Sequence, residues 1–183
     1  GEVWSDAPRL RVLAHLLASE SAQSLQDRSA RDSHLEQALA ESEHVGGARE
    51  AVLLRALRWS LQDRDATAAL DWMERLPVGV SRRTVALRLR LKVARLAGNV
   101  ALALETTRML AKHRAFSTLQ AQGLLRALAI ESLQDVHDPV RLEVLWNALD
   151  PAEKAIPEVA FVAAERLVRL GGSSDLAFDW VLP

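Results

Sequence analysis

Apolar residues recur along this chain at intervals of three and four, and short polar runs break the pattern at regular distances. That period is the mark of amphipathic helix. The most regular punctuation is the tetrapeptide Ser-Leu-Gln-Asp, found at residues 24–27, 60–63 and 132–135. The first two copies stand 36 residues apart, and the third follows after twice that distance. The empty slots at 96–99 and 168–171 likewise close an apolar run and open a turn. A turn once per period in the thirties specifies stacked helical hairpins, each able to bury its apolar face only against a neighbour. The expected fold is all-α: a right-handed superhelix (α-solenoid) of about five hairpins forming one domain over residues 1–183.

The hairpins are expected at about residues 8–45, 48–77, 82–113, 117–149 and 157–182, with local signals setting their ends. Pro8 suits a first helical turn, ahead of Leu10, Leu13 and Leu17. Asp32 is the expected N-cap of the second helix and Gly46-Gly47 its end. Asp65 and Ser81 are expected to cap later helices, with Pro77 as a stop between them. Ser117 with Gln120 reads as a capping box, Asp138-Pro139 as a cap followed by proline, and Pro157 as the start of the fifth hairpin. Second helices carry a small residue at a fixed place, at Ala69, Ala103 and Ala177; Trp72 and Trp180 follow the first and last by three. Such a residue lets two helices approach closely, the packing of a tetratricopeptide hairpin. Gly98 falls at the turn of the third hairpin, whereas Arg64 and Val136 stand where neighbouring repeats would carry that glycine, so the hairpins resemble degenerate tetratricopeptide repeats.

Composition adds mainly exclusions. The 183 residues are 49% hydrophobic and 26% charged with a net charge of −1, which describes a chain that folds around a core. Cysteine is absent, so disulfides, thiolate metal ligands and cysteine nucleophiles are absent with it. No apolar run approaches the roughly 18 residues of a membrane span. The chain opens on Gly1 and closes on Pro183, and it is expected to be a soluble piece of something longer.

Candidate chemistry is sparse. None of His15, His34, His44, His113 and His137 pairs at the i, i+4 spacing of a helical zinc site. There is no nucleophile elbow and no phosphate-binding glycine loop. Glu41 and Glu43 point to different helix faces. No catalytic residue, metal ligand or cofactor is therefore expected, and the chain reads as a non-enzyme. The five tryptophans (Trp4, Trp59, Trp72, Trp146, Trp180) are expected to fill the core.

Charge is more informative. Residues 19–50 hold seven acids against three arginines, whereas residues 75–104 hold seven bases and no acid. Arg88, Lys92 and Arg95 lie at i, i+4 and i+7 and form one stripe. First helices line the groove of a tetratricopeptide array, so these three, with Arg58 and Arg126 from neighbouring first helices, are the expected partner-binding residues. They would attract acidic peptides or carboxylate-bearing molecules; a solvated helix face is the alternative. Acidic flanks argue against nucleic acid.

From about residue 29 onward the chain resembles the soluble part of the HemY-type inner-membrane proteins of bacterial haem biosynthesis. The resemblance is carried by Ala30-Arg31-Asp32 with His34-Leu35, Leu76-Pro77 with Arg82-Arg83-Thr84, Leu110-Ala111-Lys112-His113 before Ala115-Phe116-Ser117, and the closing Trp180-Val181-Leu182-Pro183. It implies a repeat domain of a membrane-tethered parent, whose two N-terminal spans this chain lacks, acting in porphyrin and haem production as a non-catalytic scaffold for partner proteins. Binding of an anionic tetrapyrrole, its propionates on Arg88, Lys92 and Arg95, is the first alternative, although the stripe offers no axial ligand beyond the sequence neighbour His113. A repeat adaptor unrelated to haem is the second. The family supplies no functional residues to transfer.

Overall fold

The computed structural model describes residues 7–182, in which twelve α-helices and no strand are found. Trp4 lies outside the described residues. The chain divides into two compact units, Gly1–Ala97 and Gly98–Pro183.

The first unit holds α1 (Ala7–Ser24), α2 (Arg28–Glu41), α3 (Ala48–Gln62), α4 (Ala66–Glu74), the one-turn α5 (Val78–Ser81) and α6 (Thr84–Leu96). α1 pairs with α2 and α3 with α4, while α6 packs on both α3 and α4. α3 supplies the centre, with Val52, Leu53, Ala56 and Leu57 almost wholly buried against Leu35, Leu39, Trp72 and Val93. Ala69 is fully buried in α4. The turns after α1 and α3 share one geometry. Gln26 and Arg64 take left-handed φ of 59° and 58°. The next amides, of Asp27 and Asp65, reach back to Ala22 O and Ser60 O at 2.9 Å, closing a Schellman turn in each case. Asp27 and Asp65 then accept from the amides of Ala30 and Ala68 and so start the following helices.

Several expected boundaries move. Asp27, not Asp32, caps α2, because the first carboxylate after the turn already meets the free amides. Gly47 lies at the start of α3 with φ 78°; α2 stops earlier, at Glu41, and a 3₁₀ turn at Ser42–His44 intervenes. Ser81 ends α5 instead of capping α6, which follows Arg83 without a side-chain cap. Leu10, Leu13 and Leu17 share a face of α1 that is more than half exposed, because Val12, Ser19 and Ala22 are its buried positions.

The second unit holds α7 (Val100–Lys112), α8 (Thr118–Gln134), α9 (Pro139–Ala148), the one-turn α10 (Pro151–Lys154), α11 (Pro157–Arg169) and α12 (Ser174–Val181). α8 packs on α7 and α11, and α11 pairs with α12. The Ser117–Gln120 capping box, the double acceptance by Asp138 from Val140 and Arg141, and Pro157 at the start of α11 stand where the sequence places them. Ala103 and Ala177 are buried, and the rings of Trp146 and Trp180 stack at 4.9 Å. Arg108 of α7 donates to buried Glu153 through Nε at 2.7 Å and Nη2 at 2.5 Å, and Glu153 also accepts the Asp150 amide. Phe161 of α11 is 60% exposed.

Candidate functional site: a basic hollow on α3 and α6

α3 and α6 each turn one face into the core of the first unit and another outward. On α3 the buried run Val52–Leu53–Ala56–Leu57–Ser60 leaves Arg58 exposed, with Leu61 and Gln62 beyond it. On α6, burial of Leu89, Val93 and Ala94 leaves Lys92 and Arg95 one turn apart on the outside. Because α6 lies against α3, the two outward faces meet. The result is a hollow lined by Arg58, Leu61, Gln62, Arg64, Leu89, Lys92, Arg95 and Leu96.

Four cations and no carboxylate line this hollow. Among the described residues, Arg58, Arg64, Lys92 and Arg95 form no ion pair. Six other arginines of the same unit do: Arg11 with Glu41, Arg28 and Arg31 with Asp63, Arg55 with Glu20, Arg75 with Glu36 and Arg83 with Glu50. Carboxylates are thus plentiful in this unit, but those flanking Arg64 are bonded elsewhere, Asp63 to Arg31 and Asp65 to the Ala68 amide. Like charges gathered in this way raise the local potential and concentrate anions.

Three of the five expected binding residues, Arg58, Lys92 and Arg95, are brought together here. Arg88 is exposed on the same helix as Lys92 and outside the lining set. Arg126 belongs to α8 in the second unit, where it pairs with Glu158 at 2.9 Å beside a cleft lined by Leu119, Gly123, Leu125, Ile156 and Pro157. Arg64 joins the hollow although its sequence position shows only a missing glycine; a charged residue where a turn calls for glycine was the available signal.

Elsewhere the buried hydroxyls are engaged, whereas His34 Nδ1 is buried with no hydrogen-bond partner among the described residues. The buried hydroxyls of Ser19, Ser42, Ser60, Thr106, Thr107 and Ser132 each donate to a carbonyl three or four residues back along the chain. The rings of His15 and His34 meet at 5.8 Å, a contact between α1 and α2 that sequence spacing does not reveal. No cluster of three or more potential metal ligands occurs among the described residues. Trp72 is buried with the Arg75 guanidinium 4.3 Å from its ring centre, and half-buried Trp59 lies near Arg31 and Arg55. Among the described residues no helix is long and apolar enough to cross a membrane.

No protein-family model, curated protein or solved structure matches the chain.

Proposed function

We propose that the chain is a non-catalytic scaffold, an α-solenoid of degenerate tetratricopeptide hairpins that binds acidic segments of partner proteins through the basic hollow. The observation that carries this reading is the collection of Arg58, Arg64, Lys92 and Arg95 on one surface without a neutralising carboxylate. Holding like charges together opposes folding, and an anionic partner offsets that opposition. The paired helices α1–α2 and α3–α4, their matching left-handed turns and the buried Ala69 support the repeat reading. Resemblance to the HemY-type proteins supplies the setting, in which the partners are enzymes of haem and porphyrin production at the bacterial inner membrane.

The test is affinity capture from a native, membrane-containing bacterial lysate, comparing wild type with the Arg58→Glu, Lys92→Glu, Arg95→Glu triple variant. Tetrapyrrole-synthesising enzymes are expected on the wild type and missing from the variant. Equal capture by both would remove the hollow from the function. Capture of unrelated proteins, lost in the variant, would keep the scaffold and replace the haem setting. A porphyrin that binds the wild type in place of any protein would turn the scaffold into a carrier.

A further inference from the structure

The turn after α3 holds an arginine in a backbone conformation that glycine adopts without steric conflict. Arg64 has φ 58°, in the region where Gly98 and Gly171 stand at 65° and 79°. The conformation is strained for a side-chain-bearing residue, and Gln26 and Arg114 share it at 59° and 53°; of the three, Arg64 is the one that lines the hollow. Here it brings a fourth cation to the hollow, next to Gln62. The cations are three arginines and one lysine, and guanidinium groups match the planar fork of a carboxylate. Leu61 and Leu96 of the same lining are half-buried and Leu89 retains 8% exposure, so the hollow offers apolar surface beside its charges. No aromatic ring lines it, which leaves no platform on which a base could stack.

We infer that this hollow recognises a peptide segment in which carboxylates flank large apolar side chains, and that Arg64 is a specificity-determining residue for it. The inference rests on the proposed binding of acidic partner proteins and narrows their chemistry. Carboxylates of the segment meet Arg58, Arg64, Lys92 and Arg95, while its apolar side chain covers Leu61, Leu89 and Leu96. Water leaves the leucines as the segment docks, and the charge-assisted bonds strengthen as it leaves.

The experiment is a fluorescence-anisotropy titration of the whole chain with four probes at constant ionic strength. These are a labelled twelve-residue peptide of alternating glutamate pairs and leucines, the same peptide with serine for leucine, polyglutamate of equal charge, and inorganic tripolyphosphate as competitor. The leucine peptide is expected to bind at least about tenfold more tightly than the serine peptide or polyglutamate. Arg64→Gly is expected to weaken it by about tenfold while raising Tm by about 2–4 °C, because the left-handed strain is relieved. A more stable protein that binds less well is not what a merely structural turn residue would give. Equal binding of the leucine peptide and polyglutamate, or displacement of the peptide by tripolyphosphate at equal charge, would overturn the inference and leave a site that reads charge alone. Unchanged peptide affinity in Arg64→Gly would remove Arg64. Failure of every acidic peptide to bind the wild type would overturn both this inference and the acidic-partner reading beneath it.

Discussion

Two regions of the first unit treat arginine in opposite ways. Where α1, α2 and the end of α3 converge, Arg31 is 3% exposed and fully engaged. Its Nη1 donates to Asp63 at 2.6 Å and to Gln23 at 2.8 Å, and its Nε donates to Asp32 at 2.7 Å. Burial opposes the charge, but the bonds to Asp32 and Asp63 outweigh it and hold the guanidinium above its ordinary pKa. On the hollow between α3 and α6, by contrast, Arg58 and Arg95 are exposed and face no acid. The first arrangement spends the charge inside the fold; the second leaves it available. The same residue type is thus structural in one place and presented in the other, and only the position of the acids separates the two. The second unit repeats the first arrangement in Arg108 and Glu153, where hydrogen bonding to the carboxylate raises the arginine's pKa despite partial burial.

Substitution should break this contrast most visibly at the buried site. Arg31→Ala leaves Asp63, whose side chain is 13% exposed, with only the exposed Arg28 at 3.4 Å, and should cost about 3 kcal/mol in urea unfolding. A smaller effect is expected at the exposed pair on the α2–α4 side of the unit. Bidentate bonding from Arg75 lowers the pKa of Glu36 below its ordinary 4.5, against a partial burial that raises it. The stability this supplies is fully present above pH 4.5 and lost as pH falls through the lowered value. Because the Glu36 side chain is 52% exposed, the contribution stays below about 1 kcal/mol. Wild type and Arg75→Gln should therefore differ in stability at pH 6 and converge on acidification; a gap that persists once Glu36 is protonated would assign the difference to the Arg75–Trp72 contact instead. Least of all should change at the hollow, where Arg58→Gln with Lys92→Gln is expected to leave stability within about 0.5 kcal/mol. A larger loss there would mean that these cations support the fold, and the contrast would fail.

What the sequence disclosed followed how local the determinant was. Asp65, the Ser117–Gln120 box, Asp138-Pro139 and Pro157 were legible because each cap is decided within four residues. Asp27 was not, because the Ser-Leu-Gln-Asp spacing of 36 was taken as the structural period. The equivalent left-handed turns at Gln26 and Arg64 lie 38 residues apart, so the first copy of the tetrapeptide sits two residues out of register with the second. The helix α5 was not legible, because Pro77, read as a stop, marks a break as readily as a one-turn start. On α1 the periodicity identified a helix but not its inward face, since two apolar stripes compete and only tertiary packing chooses between them. Of the hollow, Arg58, Lys92 and Arg95 followed from helical spacing. Arg64 required the backbone conformation, and the pairing of Arg126 with Glu158 required the fold of the second unit.

The Arg31 cluster also bears on how the first unit comes apart. Chains of stacked hairpins open from their ends, one hairpin at a time, when each is joined to the next by non-directional packing alone. Here a single guanidinium ties Gln23 of α1, Asp32 of α2 and Asp63 at the end of α3, a directional latch across the first two hairpins. Peeling away the first hairpin would strand that charge, so local fraying is replaced by concerted opening. The amides of α1 through α3 are accordingly expected to exchange as one cooperative unit, which hydrogen exchange would read, with the surface that carries Arg58 joined to it.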